Sequence, residues 1–389
     1  MRTDPKLRVL LLGPLRSRDP VSGDTAYTEA LLAQPPEGVS YTPYDEAIEA
    51  GTLRVRGRKP WRHGTDAADL GVFGVRAIEV PLRKSGLTFR EPWWFVSADA
   101  GSFDLIHQHL FAIRQVGPRL PVVSSAGYPL TQLYGVRERW TPRHLRGALA
   151  CESVAARVFD IHEPWLRPAG DGVMTVYTEH FQRWLVERGV NPETVRVAGT
   201  ALPDLALPPG DSDGRTLGVI ARDFIRKGGD IALEAFRELR AADPRWHIIV
   251  ATRAADAQRN VTPEPGVELV VGPDRQQVLF DLLPRIDILL APTRSDCGAP
   301  YAVLEALQAE TCVVTSDSPW LDQRLQLPAV ARVPPTPSAV ASAVVAMVDG
   351  DLRGAQRAAR VLWRSVFSME QLHRRLLSAY DLALLRHRA

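Results

Sequence analysis

Cysteine is scarce in this 389-residue chain. Cys151, Cys297 and Cys312 are few, odd in number and widely spaced, which excludes a disulfide framework or a cysteine zinc cluster and fits a reducing compartment. Lysine is nearly as rare: of 47 basic residues only Lys6, Lys59, Lys84 and Lys227 are not arginine. No stretch reaches the roughly 18 unbroken apolar residues of a membrane span. The apolar run Val9 to Leu12 is too short for a secretory leader. A large excess of either charge is also missing. With 47 basic and 45 acidic residues the formal charge is +2, which excludes a surface built as a whole to meet nucleic acid. No two of the nine histidines form a ligand pair with carboxylates at standard metal spacing. A cytoplasmic protein without a resident metal is the expectation.

What is present is an ordinary globular mixture, 45% apolar and 24% charged. The length suits two or three domains at about 100–200 residues each. Short Val/Ile/Leu runs alternate with helical periods, the pattern of βαβ units around parallel sheets. In the second half, strands are expected at Leu217–Ala221, His247–Ala251, Val267–Val271, Ile286–Leu290 and Cys312–Thr315, with helices over Asp230–Ala242 and Pro300–Ala309. In the first half, strands are expected at Arg8–Gly13, Ala77–Val80, Asp104–His107, Pro121–Val123 and Gly172–Tyr177, with a helix over Asp24–Ala33. The fold class is therefore α/β, with two doubly wound, Rossmann-like parallel-sheet lobes facing a cleft. Pro, Gly and Asp concentrate between Pro203 and Asp213, so the first lobe is set at 1–203 and the second at 204–365, with a closing helix within 366–389.

In open α/β sheets ligands bind beyond the carboxyl ends of the strands. After Leu217–Ala221 comes Arg222-Asp-Phe-Ile-Arg-Lys227-Gly228-Gly229 and then a helix. Two cations five residues apart, with glycines opening a helix N-terminus, suit a pyrophosphate; a solvated basic loop is the plain alternative. That a rare lysine stands here favours the anion site, because its compact ammonium suits a phosphate oxygen. After Ile286–Leu290 the loop Pro292-Thr-Arg-Ser-Asp-Cys297-Gly298-Ala299-Pro300 leads into a helix carrying Glu305, with Pro300 placed in its first turn. From its residues alone, Glu305 reads as an exposed helical glutamate.

The segments Arg222…Lys227-Gly228 and Cys297-Gly298-Ala299-Pro300…Glu305-Ala306-Leu307 resemble the donor-lobe motifs of retaining glycosyltransferases of GT-B architecture, family four (glycosyl transferases group 1). There the pattern is G-R-x-x-x-x-K-G followed by E-x7-E. The chain diverges at E-x7-E, with Cys297 in place of the first glutamate. Asp104-Leu-Ile-His107-Gln-His109 resembles the family's D-x-x-H-x-H, and Gly23 its glycine turn after the first strand. The resemblance implies a metal-independent transfer of a sugar from a nucleotide diphosphate-sugar, with retention, in glycan biosynthesis. It implies that Arg222 and Lys227 hold the diphosphate and stabilise its developing charge, that Glu305 binds the nucleotide ribose, and that His109 meets the transferred sugar. Gly23 would keep the first loop small, and Cys297, Gly298 and Ala299 would adjoin the donor. Of His107 and His109, only one is expected to face the cleft.

The acceptor is left open as carbohydrate, lipid-linked or small molecule. Residues 51–64 carry five formal positive charges and no acid; they suit anionic headgroups at a membrane face, an acidic acceptor, or an ordinary basic loop. Trp93-Trp94-Phe95 suits either an acceptor groove or the core. The main alternative to an enzyme is a GT-B sugar-nucleotide-binding or scaffold subunit without catalysis, which Cys297 makes reasonable. An epimerase or phosphorylase is a further alternative.

Overall fold

The computed structural model describes residues 6–15, 23–56, 81–82, 84–85, 93–129, 135, 140–163, 165–166, 171–210 and 214–389. The chain divides into two compact units, Met1–Gly199 with Leu372–Ala389, and Thr200–Gln371. The expected strand Ala77–Val80 and residues 57–64 of the basic stretch lie outside the described residues.

The first unit contains β1 (Leu7–Leu12), β2 (Val39–Pro43), β3 (Leu53–Arg56), β4 (Trp93–Ala98), β5 (Leu105–His109), β6 (Ala112–Gln115), β7 (Val122–Ala126), β8 (Val173–Val176) and β9 (Val195–Val197). Six of them form a parallel sheet in the order β2-β1-β5-β7-β8-β9. Val9 to Leu12 are wholly buried, as a strand covered by helices on both faces must be. A smaller sheet, β3-β4-β6, pairs β3 antiparallel and β6 parallel to β4. Trp93, Trp94 and Phe95 are buried in β4, where the Trp94 ring stacks on Phe111 at 4.4 Å and meets Tyr44 edge-on at 5.5 Å. Of their two readings the structure selects the core, because their strand lies between two others. The closing helix, Met369–Arg388, buries Leu372, Leu376 and Tyr380.

The second unit contains β10 (Thr216–Ala221), β11 (His247–Thr252), β12 (Val267–Val271), β13 (Ile288–Ala291), β14 (Cys312–Ser316) and β15 (Val330–Val333). All are parallel, in the order β12-β11-β10-β13-β14-β15. That is the 3-2-1-4-5-6 order of doubly wound nucleotide-binding sheets. Alternate residues of β13 feed opposite layers. Ile288 and Leu290 join Ala232, Ala235 and Phe236 of the Gly229–Ala242 helix, while Leu289 joins Val303, Leu304 and Leu307 of the Tyr301–Gln308 helix. The strand expected from Ile286 starts at Ile288, because Leu283–Arg285 forms a tight turn whose Leu283 carbonyl accepts from the Ile286 amide.

Candidate functional site

In the second unit β10 and β13 are neighbours, but the chain leaves them towards opposite edges, β10 towards β11 and β13 towards β14. Such a reversal leaves a crevice beyond the strand ends. The two loops singled out from the sequence, 222–229 and 292–300, are the ones that follow these strands, and they are stitched together. The Arg226 carbonyl accepts from the Arg294 amide at 2.9 Å and from Thr293 Oγ1 at 3.2 Å. The Arg226 guanidinium bonds Asp223 at 3.0 Å and the Ser295 carbonyl at 2.8 Å. Arg294 grips both oxygens of Asp230 at 2.7 Å. Lys227 Nζ pairs with Asp296, both side chains being largely buried. Arg222 is exposed at the start of the first loop. Gly228 has φ +76°, and a Cβ there would lie 2.1 Å from the Pro292 carbonyl oxygen, so only glycine lets the loops approach.

The second loop differs from expectation at its proline. Pro300 is the cap preceding the Tyr301–Gln308 helix, not a residue of its first turn. The amides of Gly298 and Ala299 do not point unbonded at a ligand: Gly298 donates to the Trp320 carbonyl at 2.9 Å and Ala299 to Thr200 Oγ1 at 3.0 Å. Gly298 adopts φ +59°, which lets this loop pair with the segment around Leu321. Cys297 is half-buried, and its amide donates to Asp296 Oδ1 at 3.3 Å.

Glu305 is buried, not exposed as its residues alone suggest. Burial raises its carboxyl above the usual range, and the Arg275 guanidinium, whose Nη2 donates to Glu305 Oε1 at 2.8 Å, opposes that rise. The sequence reading missed Arg275. It follows the end of β12, where Asp274 caps a helical turn by accepting from the Gln277 amide at 2.8 Å. The Gly272-Pro-Asp-Arg turn after a strand was the available signal, legible only once β12 is known to lie on the same sheet.

The first unit has its own reversal, between β1 and β5. Gly13 follows β1; a Cβ there would fall 2.5 Å from Thr28 Cγ2 and 3.2 Å from His109 Cβ. Close packing beside His109 thus demands glycine at position 13; Gly23 is the first residue of the Gly23–Ala33 helix. His109 is fully buried, its ring 4.4 Å from Tyr27 and 6.3 Å from Tyr177. Burial and neighbouring His107 push its pKa down to about 3, so the ring is neutral at ordinary pH. His107 and His109 do not point to opposite sides, as the expectation that only one faces the cleft requires. Residues two apart in an unbroken strand share a face, and both rings meet Tyr27. His107 is held by Tyr380 OH at Nδ1, 2.6 Å, and by Ser125 Oγ at Nε2. Ser125 in turn meets Tyr27 OH at 3.3 Å and Thr175 Oγ1 at 3.0 Å.

Among the described residues no group of three or more His, Cys, Asp or Glu is placed to hold a metal, and no helix is long and apolar enough to cross a membrane.

Residues 214–349, within the second unit, match the family described as Glycosyl transferases group 1. No curated protein matches the chain. Among solved structures, a glycosyltransferase from Rickettsia africae is 12% identical with a TM-score of 0.57, covering 98% of this chain and 99% of that one. Anabaena Alr3699/HepE, solved in complex with UDP and glucose, is 12% identical with a TM-score of 0.59, covering 96% and 99%. Sucrose-phosphate synthase from Thermosynechococcus elongatus is 14% identical with a TM-score of 0.57, covering 97% and 98%. At these identities the likeness is one of fold, the α/β architecture of GT-B glycosyltransferases.

Proposed function

We propose that the protein is a glycosyltransferase that takes a sugar from a nucleoside diphosphate-sugar and passes it to a hydroxyl acceptor with retention of anomeric configuration, using side-chain cations in place of a metal ion. The observation that carries this reading is the stitched pair of loops at the β10/β13 reversal, inside the segment that matches the group 1 domain.

Arg222 and Lys227 take the diphosphate. As the bond from the anomeric carbon to the phosphate oxygen breaks, charge gathers on that oxygen, and preorganised cations stabilise it; removing one such donor costs about 3–4 kcal/mol. The acceptor oxygen bonds the anomeric carbon on the face the leaving group vacates, and the acceptor proton passes to the departing phosphate. Asp296, paired with Lys227, brings a carboxylate beside this site one residue before Cys297, where the related motif has glutamate. Glu305 accepts from the ribose hydroxyls. Gly298 and Ala299 shape the turn without donating to the ligand, since their amides are already bonded. His109, neutral, offers a hydrogen bond to a sugar hydroxyl. A contact of residues 51–64 with a membrane face belongs to the same proposal.

UDP and UDP-glucose are the first probes, chosen on the Anabaena complex. Calorimetry should show nucleoside diphosphate binding that Lys227→Ala and Glu305→Ala each weaken by at least about tenfold, the loss of one charge-assisted hydrogen bond. Unchanged affinity in both variants removes the donor-site assignment. A panel of labelled nucleotide sugars, with and without EDTA, tests turnover: transfer or slow donor hydrolysis that survives EDTA supports the enzyme, whereas tight binding with an inert donor points to a binding subunit.

A further inference from the structure

We propose that Arg275 is a positioning residue for the nucleotide site: it holds one oxygen of Glu305, fixes the orientation of the carboxylate and favours the form that presents only acceptor oxygens to the ligand's vicinal hydroxyls. The inference rests on the reading of Glu305 as the ribose-binding group.

Glu305 sits on the Tyr301–Gln308 helix, in a layer formed by Val303, Leu304, Ala306 and Leu307, all wholly buried. A carboxylate in such surroundings takes up a proton more readily than one in water, and a protonated carboxyl has one oxygen turned from acceptor into donor. That change matters for a diol, whose two hydroxyls are best met by two acceptor oxygens. The Arg275 guanidinium opposes it, though burial remains the larger effect. Its side chain is 35% exposed and that of Glu305 11%, so the charge is anchored at the solvent edge and reaches inward to Oε1 at 2.8 Å. Arg275 is the charged group that acts on Glu305, and its pull is downward through both charge and hydrogen bond. One Glu305 oxygen is thus held by the protein. The Asp274 cap holds the turn that carries Arg275, and so the direction of approach.

The sign follows. Without Arg275 only the burial effect remains, and the Glu305 carboxyl titrates at higher pH than in the native protein. In Arg275→Met, UDP affinity should stay within about threefold of native well above that pKa and fall by about tenfold as pH drops through it, the worth of one charge-assisted hydrogen bond. Arg275→Lys, which keeps a charge but not the fork, should restore the native pH profile while binding UDP less tightly. Glu305→Gln should weaken UDP at every pH without a pH-dependent step, and Arg275→Met added to it should change nothing further.

Carbon-13 NMR titration of the Glu305 carboxyl, identified by its loss in Glu305→Gln, reads the coupling without any nucleotide. An upward move of its pKa in Arg275→Met is expected; an unmoved pKa overturns the proposal whatever UDP does. A loss of UDP affinity in Arg275→Met that is equal at all pH values, or that adds to the loss in Glu305→Gln, also overturns it, by placing Arg275 on the ligand itself. If the pKa moves but Glu305→Gln binds UDP as well as the native protein, the donor-site reading fails, and the proposal with it.

Discussion

At the scale of single residues, the donor-side loops show how little tolerance close approach leaves. Gly228 sits at φ +76° with its α-carbon against the Pro292 carbonyl, so Gly228→Ala meets both a strained backbone and a clash. We expect it to cost about 1–3 kcal/mol in urea unfolding and to weaken UDP binding, because the Lys227 backbone must move with it. Its neighbour Lys227 was legible as a candidate because lysine is rare in the chain. Asp296 as its partner was not, since no spacing rule links residues 69 apart in sequence. Glu305 was misjudged as exposed for a similar reason. Helical position alone does not say whether a face meets solvent, and here the helix lies against β13 and β14.

At the scale of elements, strands with long apolar runs could be read directly: β10, β11, β12, β13 and β14 each appear within two residues of where the pattern places them. The edge strands β2, β9 and β15 were not, because short segments such as Val195–Val197 carry too few residues for a period to register. The closing helix was expected to bury Tyr380, and does. Its hydroxyl bonds both His107 Nδ1 at 2.6 Å and Tyr41 OH at 2.7 Å, which no helical pattern foretells. Tyr380→Phe leaves buried His107 and half-buried Tyr41 with one partner fewer. The expected cost is about 1–3 kcal/mol by urea denaturation, from removing one end of a buried hydrogen-bond chain. The unchanged ring volume excludes a packing cause.

At the scale of the whole molecule, buried histidines set the acid limit. His107 and His109 are pushed down to about 3 and His162 to about 4, in each case chiefly by burial. The unfolded chain protonates all three below about pH 6.5, while the folded chain keeps them neutral. Their contribution to stability is complete above that pH and is lost as pH falls towards the folded values. The slope is about 1.4 kcal/mol per pH unit for each histidine. Glu163 and Glu305, both raised by burial, act in the opposite direction over the part of this range where the folded chain holds their protons and the unfolded chain does not. Thermal melts should therefore show the midpoint falling steadily from pH 6.5 towards 5, and His162→Gln should make that fall shallower.

Apolar periodicity by itself determined that this chain folds as alternating strands and helices in parallel sheets, because burial on both faces of a strand leaves a mark on every residue of it. The order of the loops after the strands placed Arg222, Lys227 and the Cys297–Pro300 turn as candidates. Only the tertiary structure decided which side chains meet: Lys227 with Asp296, Arg275 with Glu305, and His107 and His109 together on Tyr27. The physical reason is that a hydrogen bond or ion pair is settled by distance in space, and sheet order brings together residues that no local pattern connects.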